Sequence, residues 1–232
     1  MRVAITQSNY IPWRGYFDAI AGVDCFVLYD DMQYTKRDWR NRNRIISNNK
    51  TLWLSIPIEV KGKFYQKIKD SKAVDNTWIN AHVKTIKHSY GKAANAPEVM
   101  PFVEDLYHSC KFNYLSDINQ HFLLGIMRFL GIQTRLETSS TFNLPEGKTD
   151  KLIHICKSLG AESYFTGPAA KHYIDEEKFI NNQIKLNYWQ NDDYPEYCQG
   201  NAQFVNFLSI VDTLFHVGKN TPNYMKHINS RL

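Results

Sequence analysis

Apolar runs of strand length and a segment with helical spacing alternate near the start of the chain. "RVAIT" at residues 2–6 is a short apolar run, and "DCFVLYD" at 24–30 is a second one. Between them, "YFDAIAGV" at 16–23 places apolar residues three and four positions apart, as a helix does. A strand, a helix and a strand within about thirty residues indicate a βαβ unit, in which a right-handed crossover joins two parallel strands.

Helical patterns dominate the middle of the sequence, from about residue 76 to 131. The strongest is "LSDINQHFLLGIMRFLGI", for which we predict Ser116 or Asp117 as the cap and Gly131 as the stop. A hairpin is predicted before this region, at 44–58, because apolar runs flank the turn "NNK". Beyond it, helices at 148–160 and 204–218 are mixed with short strands at "TRLETSS", "ESYFTG" and "IKLNYW".

These patterns predict an α/β fold. We expect a single domain over residues 1–232, with an N-terminal βαβ-type (Rossmann-like) sheet, a largely helical middle subregion at about 76–131 and a mixed C-terminal part. In open parallel sheets the ligand crevice lies outside the carboxyl ends of the strands, so the loops that follow the strands are the first candidates for a site.

Composition and charge narrow the class of protein. Hydrophobic residues make up 43% and charged residues 22% of the 232 residues, which excludes a disordered chain. The formal net charge of +5 favours an anionic partner, although without a lysine-rich tail a nucleic acid is the less expected one. The four cysteines are scattered and show no metal-ligand spacing. With no signal peptide and no membrane segment, we expect a cytoplasmic protein.

Two loops follow the two strands of the βαβ unit, "QSNYIPWRG" at 7–15 and "DDMQYTKRDWRNRNR" at 30–44. We expect them to lie side by side and to share a cleft, because both follow the ends of parallel strands. In the first loop, Gly15 precedes a helix N-terminus that can hold an anion, and a structural glycine is the alternative.

The second loop is unusually dense in charge. Its arginines, Arg37 and Arg42 among them, can bind phosphate or carboxylate through two N–H groups. Asp30 and Asp31 end the strand, and at most one of them faces the crevice, as a general base, a metal ligand or a partner for arginine. A salt-bridged loop that pins the sheet to the hairpin is the alternative.

The C-terminal third holds further polar candidates. "SYFTGPAAKHY" ends a predicted strand at Gly167, with Tyr173 following, and Gln199 lies in "PEYCQG". Asp212 and His216 stand four positions apart on one helix face, where a catalytic pair and a structural hydrogen-bonded pair both remain open. The chain contains neither G-x-S-x-G nor H-E-x-x-H, so the common hydrolases and zinc proteases have no support.

In order along the chain, these pieces resemble the WbqC-like protein family. The resemblance lies in residues 5–45, in "WLSIPI", in "TDKLIHICKSLGAESYFTGPAAKHYI" and in "PEYCQG" with "SIVDTLFHVG", and so spans nearly the whole chain. Ser8 stands where family members commonly have proline. The positions that match the family's shared motifs are Gln7, Tyr10, Gly15, Tyr16, Asp30, Asp31, Gln33, Arg42, Asn43, Asp150, Gly167, Tyr173 and Gln199.

The resemblance implies a transferase of surface-polysaccharide (O-antigen, lipopolysaccharide) biosynthesis. Such an enzyme would N-acylate or aminoacylate, glycyl transfer included, a nucleotide-linked amino-dideoxy sugar. The expected partners are that sugar and, as one source of the acyl or aminoacyl donor, an acyl-carrier protein. The sequence shows no metal signature, and any other cofactor stays open.

The candidate residues fall into two roles. Asp30 or Asp31 is the candidate general base, with His216 in reserve, and direct transfer is expected because no cysteine or serine lies in a nucleophile motif. Substrate binding is predicted for Gln7, Tyr10, Gly15, Tyr16, Gln33, Arg37, Arg42, Asn43, Gly167, Tyr173 and Gln199.

Two alternatives to a transferase remain open. One is an ATP-dependent nucleotidyl or acyl-activating enzyme, since the first loop loosely resembles nucleotidyltransferase sheets at the level of the fold. The other is a non-catalytic module that binds a nucleotide or a nucleic acid. The even mix of acidic residues elsewhere in the chain argues against the nucleic acid.

Overall fold

The computed structural model describes residues 1–190, 192–200 and 203–228. Its strands are β1 (Arg2–Thr6), β2 (Cys25–Leu28), β3 (Arg42–Ser47), β4 (Lys50–Ser55), β5 (Arg135–Thr138), β6 (Ser163–Thr166) and β7 (Lys185–Tyr188). Its helices are α1 (Arg14–Ala21), α2 (Thr77–Tyr90), α3 (Ala96–His108), α4 (Leu115–Leu130), α5 (Lys148–Ser158), α6 (Glu176–Asn181) and α7 (Ile210–Val217).

Five of the strands form one parallel sheet in the order β5-β2-β1-β6-β7. Counted along the chain, this is the order 3-2-1-4-5, which is that of a Rossmann-type sheet. The predicted Rossmann-like α/β fold is confirmed, as is the largely helical middle. Strands β2 and β5 extend the sheet on one side of β1, whereas β6 and β7 extend it on the other side. The boundary between β1 and β6 is therefore the switch point at which such sheets bind ligands.

The sheet is covered on both faces, which explains its apolar strands. Every residue of β2 is buried, because neighbouring strands flank it and helices cover it above and below. Along β1, Ala4 packs into the larger core cluster with α1 and the helical middle. Val3 and Ile5 point the other way, into a smaller cluster with Ile155 of α5 and Phe179 of α6. This alternation is the period-2 pattern of a strand.

The β3–β4 hairpin forms as predicted, and Asn48 and Asn49 take the positive φ angles that its two-residue turn requires. Gly131 ends α4 in the left-handed conformation, also as predicted. The predicted cap of α4 is wrong, because Tyr114 is its N-cap residue and the Ser116 hydroxyl donates to Asp30 instead.

The last helix is shorter than the predicted 204–218. It begins at Ile210, where the Ser209 hydroxyl caps the first turn by accepting from the Val211 N–H. Phe207, with a φ of +58°, lies outside helical geometry. In the described parts of the chain, no helix combines the length and apolar character needed to cross a bilayer.

A buried aromatic cluster joins the β1–α1 loop to the helical middle. The Tyr10 hydroxyl lies 2.9 Å from Nδ1 of His82 and 2.6 Å from the Tyr107 hydroxyl. Only 6% of His82 is exposed, and burial lowers its pKa from 6.5 to about 4. His82 is therefore neutral in the folded protein at pH 7.

The buried His82 makes the free energy of unfolding depend on pH. Because the pKa of His82 is lower when folded than when unfolded, its contribution is complete above pH 6.5 and is lost as pH falls towards 4. Across that window we expect the free energy of unfolding to fall by about 1.4 kcal/mol per pH unit from this group. Urea unfolding of wild type and His82→Gln at several pH values measures the effect. Parallel pH profiles for the two proteins would contradict it.

Candidate functional site

A crevice of about 340 Å³ lies at the switch point of the sheet, between the carboxyl ends of β1 and β6. We call it the switch-point crevice. Thr6 and Gln7 line it from the end of β1, and Thr166 and Gly167 from the end of β6. Tyr29, Met32, the first turns of α5 and the segment after Gly167 complete the wall. It therefore lies where α/β sheets of this topology place their ligands.

The first turns of α5 make one wall of the crevice positively charged. Lys148 and Lys151 both line it, and neither forms an ion pair within the described residues. The N-cap residue of α5, Gly147, has no side chain to cap the first turn, so the backbone N–H groups there add partial positive charge. Asp150 does not neutralise the lysines, because Lys178 binds its carboxylate at 2.7 Å and lowers its pKa. This wall suits an anionic group.

Gly167 keeps the opposite wall open. Its φ of −73° is available to any residue, so its backbone does not require glycine. A Cβ atom built there would meet no protein atom within 4 Å. Because the residue lines the crevice, a side chain would extend into space that a ligand can occupy. Tyr173 lines the same part of the crevice and is half exposed.

A second and larger cavity, of about 840 Å³, continues along the same edge of the sheet from Pro168. We call it the outer cleft. Aromatic side chains of Trp13, Tyr188, Trp189 and Tyr194 line it, together with three carboxylates. These acidic residues are Asp192, Asp193 and Glu196. Lys171 also lines the outer cleft, so its lining is net acidic, whereas the lining of the switch-point crevice is net basic.

A third cavity, of about 220 Å³, is lined by both loops of the βαβ unit. Asn9 and Trp13 belong to the first loop, and Trp39 and Asn43 to the second. Asn43 joins the loops by donating to the backbone carbonyls of Tyr10 and Ile11 at 3.1 and 3.0 Å. The prediction that the two loops share a cleft is confirmed, and Trp13 lines both this cavity and the outer cleft.

Asp30 lies inside the protein rather than in a cavity. Only 3% of it is exposed, and burial raises its pKa. One carboxylate oxygen accepts from the Ser8 N–H at 2.8 Å, and the other from the Ser116 hydroxyl at 2.5 Å. Asp30 thereby ties the first loop to α4.

Asp31 pairs with cations beside the sheet. Its carboxylate lies 2.6 Å from Lys69 Nζ and 3.5 Å from Lys67 Nζ, and it accepts from the Ser139 hydroxyl at 2.7 Å. Burial raises its pKa, but these hydrogen bonds and charges outweigh burial and lower the pKa overall. Neither aspartate lines the crevice or the outer cleft.

His216 and Gln199 belong to a buried network around Asp212. The fully buried Asp212 carboxylate accepts from Tyr90, Tyr197 and Gln199 at 2.8, 2.7 and 3.0 Å. Nδ1 of His216 lies 2.8 Å from the backbone carbonyl of Asp212 and 3.8 Å from its carboxylate. These contacts favour the structural interpretation of the pair, while a catalytic role stays a prediction.

Three further predicted residues face the interior. Tyr10 is fully buried in the aromatic cluster, and Tyr16 donates its hydroxyl hydrogen to the Gln7 carbonyl at 2.9 Å. A Cβ on Gly15 would collide with the indole of Trp13, so this glycine makes room for a side chain and not for a ligand. Tyr16 thus supports the backbone of Gln7, which does line the crevice.

The remaining predicted residues lie on the surface of the second loop. Gln33 donates to the carbonyl of Phe64 at 2.8 Å, and Arg37 is exposed with a φ of +57°. The Arg42 guanidinium lies 3.9 Å from the ring centroid of Trp53. Among the predicted binding residues, the structure brings Gln7, Gly167 and Tyr173 together in the crevice.

Sequence reasoning left out most of the other polar residues of the crevice. Lys148 lies at a predicted helix start and Thr166 ends a predicted strand, but Lys151 and Tyr29 carry no motif of their own. Their common signal is position, since each lies on a strand end or a helix start that meets the switch point. Within the described residues, no group of three histidine, cysteine or acidic side chains could hold a metal ion.

Comparison with known proteins agrees with the family resemblance of the sequence. The model of the WbqC-like protein family matches residues 7–224. The uncharacterized protein Rv1507c of Mycobacterium tuberculosis (strain ATCC 25618 / H37Rv) is 42% identical over 226 residues, which cover 97% of this chain and 98% of the mycobacterial one. No solved structure matches the chain. The similarity to the mycobacterial protein therefore runs along nearly the full length of both.

Proposed function

The chain belongs to the WbqC-like protein family, and from this membership and its paired cavities we propose that it is an acyl or aminoacyl transferase. Its substrate would be a nucleotide-linked amino-dideoxy sugar of surface-polysaccharide biosynthesis. The observation that carries the proposal is the pairing of a lysine-lined crevice at the switch point with a carboxylate-lined outer cleft. A nucleotide-linked amino sugar has the matching charges, an anionic diphosphate and a cationic amine.

The diphosphate would lie in the switch-point crevice. Lys148 and Lys151 supply two positive charges, and the N–H groups at the start of α5 that Asp150 does not occupy would supply hydrogen bonds. Gly167 leaves the opposite wall open for the pyrophosphate to approach the backbone. The phenol of Tyr29 keeps its proton at pH 7 and can donate a hydrogen bond there, and burial raises its pKa further, to about 12.

The sugar and its amine would lie in the outer cleft. Its aromatic side chains offer flat apolar faces to a deoxy sugar, and its carboxylates offer acceptors to an ammonium group. In the reaction the amine nitrogen forms a bond to the acyl carbonyl carbon and the donor's carbon–oxygen or carbon–sulfur bond breaks. The oxygen or sulfur group leaves with the electron pair of that bond and takes up the second proton that the nitrogen loses. A carboxylate of the outer cleft would take the proton that the ammonium must lose first.

Direct transfer agrees with the placement of the cysteines. Cys25, Cys110 and Cys156 are buried, and burial raises the pKa of each, to about 11 for Cys25 and about 12 for Cys156. A buried thiol of this kind is a poor nucleophile. Cys198 is exposed but lines neither the crevice nor the outer cleft. An acyl-enzyme on cysteine therefore has no support in these cavities.

The contacts of Asp30 and Asp31, the two predicted general bases, favour a role in holding the loops in place over a role in proton transfer. We expect Asp31→Asn and Asp30→Asn to keep turnover within about ten-fold of wild type, because neither side chain lines a cavity that we assign to substrate. Asp30→Asn should also lower the melting temperature, since Asp30 holds Ser8 and Ser116 together. A fall in turnover of about 10²–10⁴-fold with an unchanged melting temperature would instead identify a general base.

Mass spectrometry tests the proposed activity directly. The protein is incubated with nucleotide-linked amino-dideoxy sugars and, in separate reactions, with acyl-carrier-bound, coenzyme-bound and aminoacyl donors. We expect the sugar to gain the mass of the acyl group in one of these reactions, and Gly167→Leu, which fills the crevice, to lose the product. Nucleotide cleavage without acyl transfer would point to an activating enzyme instead.

A further inference from the structure

The outward face of the β3–β4 hairpin carries a ladder of indole and guanidinium groups. We call Trp39, Arg42, Arg44 and Trp53 the Trp–Arg ladder. Arg44 pairs directly across the hairpin with Trp53, and Arg42 lies two residues away on the same face. The Arg42 guanidinium lies 3.9 Å from the Trp53 centroid, and that of Arg44 lies 5.5 Å from Trp39. The two indole centroids are 5.4 Å apart.

Both indoles remain open to solvent. Trp39 is 37% and Trp53 40% exposed, which is unusual for such large apolar rings. On the opposite face of the hairpin, Asn43, Ile45 and Leu54 are buried. The inner face therefore anchors the hairpin, and the outer face presents the ladder.

The positive charges of the ladder have no counter-ion among the residues that the structure describes. Neither Arg42 nor Arg44 has an ion pair or a side-chain hydrogen bond within the described residues, and the Nε atom of each is buried without a partner. Asp38, the nearby acidic residue of the loop, pairs with Arg40 at 3.6 Å. Lys36 and Arg37 add further exposed cations beside it. An anionic group would therefore complement this surface.

We propose that the Trp–Arg ladder binds single-stranded nucleic acid. Bases would extend the stack of indoles and guanidinium groups, and phosphates would bind the terminal Nη groups of Arg42 and Arg44. An anion without rings would satisfy the arginines and leave the indoles in water. A single strand supplies both groups at a regular spacing, whereas a duplex hides its base faces.

The polar groups next to the ladder predict weak sequence preference. The side-chain amide of Asn43 donates to two carbonyls and accepts from the Arg44 N–H, so its hydrogen bonds are used within the protein. The side-chain oxygen of Asn9 accepts from Arg40. Stacking and charge would therefore dominate binding, as in single-strand binding without a base code. This activity goes beyond the proposed transferase and does not depend on it.

Fluorescence anisotropy with a labelled single-stranded oligonucleotide of about 12 nucleotides tests the proposal. We expect binding that weakens with salt, because counterions are released from the phosphates. Trp53→Ala should weaken it about 5- to 150-fold, and Trp53→Phe much less, because phenylalanine keeps a ring. Arg42→Ala should also reduce the salt slope by about 1. The matched control is Tyr65→Ala, an aromatic residue that is 84% exposed beside Lys63 and outside the ladder.

Several outcomes would overturn the proposal. They are no binding by wild type at low salt, tryptophan variants that bind as tightly as wild type, and equal affinity for polyglutamate or heparin, which carry charge without bases. Trp39→Ala serves as the second variant if Trp53→Ala fails to fold. Lys151→Ala should bind the oligonucleotide normally and Trp53→Ala should keep transferase turnover, so a failure here is distinct from a failure of the proposed function.

Discussion

Replacing Lys148 and Lys151 together by alanine is expected to lower the affinity for a nucleoside diphosphate by about 10- to 150-fold. The range corresponds to the loss of about 1.5–3 kcal/mol, the usual value of one hydrogen bond to a charged group. Both lysines line the switch-point crevice, where Asp150 is already paired with Lys178 and leaves their charge available. Lys148 is exposed, so solvent weakens its share, and we expect Lys151 to contribute more. Calorimetric titration measures the change.

The matched control lies on the same helix. Lys157→Ala removes an exposed lysine from the opposite end of α5, where it lines neither the crevice nor the outer cleft. It removes one positive charge and the double variant removes two, so a control that weakens binding by half as many kcal/mol as the double variant would show that only net charge matters. Unchanged affinity in the double variant would remove the crevice as the phosphate site.

Asp212→Ala is expected to destabilise the fold by about 3–5 kcal/mol. The substitution leaves three buried donors, on Tyr90, Tyr197 and Gln199, without their acceptor. It also removes a negative charge near Arg14, a buried guanidinium that otherwise contacts aromatic rings. For a chain of this length, the loss corresponds to a melting temperature lower by about 6–20 °C.

His216→Ala is the control for this network. The His216 side chain is 16% exposed, and its loss breaks one hydrogen bond to the Asp212 carbonyl, for which we expect about 1 kcal/mol. Urea unfolding of both variants separates the two values. If Asp212→Ala unfolded like wild type while His216→Ala lost turnover, the pair would be catalytic rather than structural.

The fold could be predicted from the sequence because the patterns that indicate its strands and helices are local. The apolar runs of β1 and β2 and the helical spacing of α1 define a βαβ unit within 28 residues, and Gly131 marks the end of α4. The missed features depend on tertiary contacts. Ser116 resembles a helix cap, but its hydroxyl is drawn to the buried carboxylate of Asp30, which no sequence window shows.

Only part of the candidate site could be predicted from the sequence, for a related reason. The loops after β1 and β6 could be located, so Gln7, Gly167 and Tyr173 were identified. Which strand neighbours which could not be read from periodicity. The crevice depends on the pairing of β1 with β6, whose paired residues Ala4 and Phe165 are 161 positions apart in the sequence. Charge density was the misleading signal. Arg42 stacks on Trp53 of the hairpin and Arg44 lies over Trp39 of the loop, away from the switch point.

A crystal structure of the protein with a bound nucleotide-linked amino-dideoxy sugar tests the central claim most directly. We expect the phosphate oxygens within hydrogen-bond distance of Nζ of Lys151 and the first-turn N–H groups of α5, next to Gly167, with the sugar amine facing the carboxylates of the outer cleft. Phosphates bound elsewhere, for example beside Arg42, with the switch-point crevice empty, would contradict it.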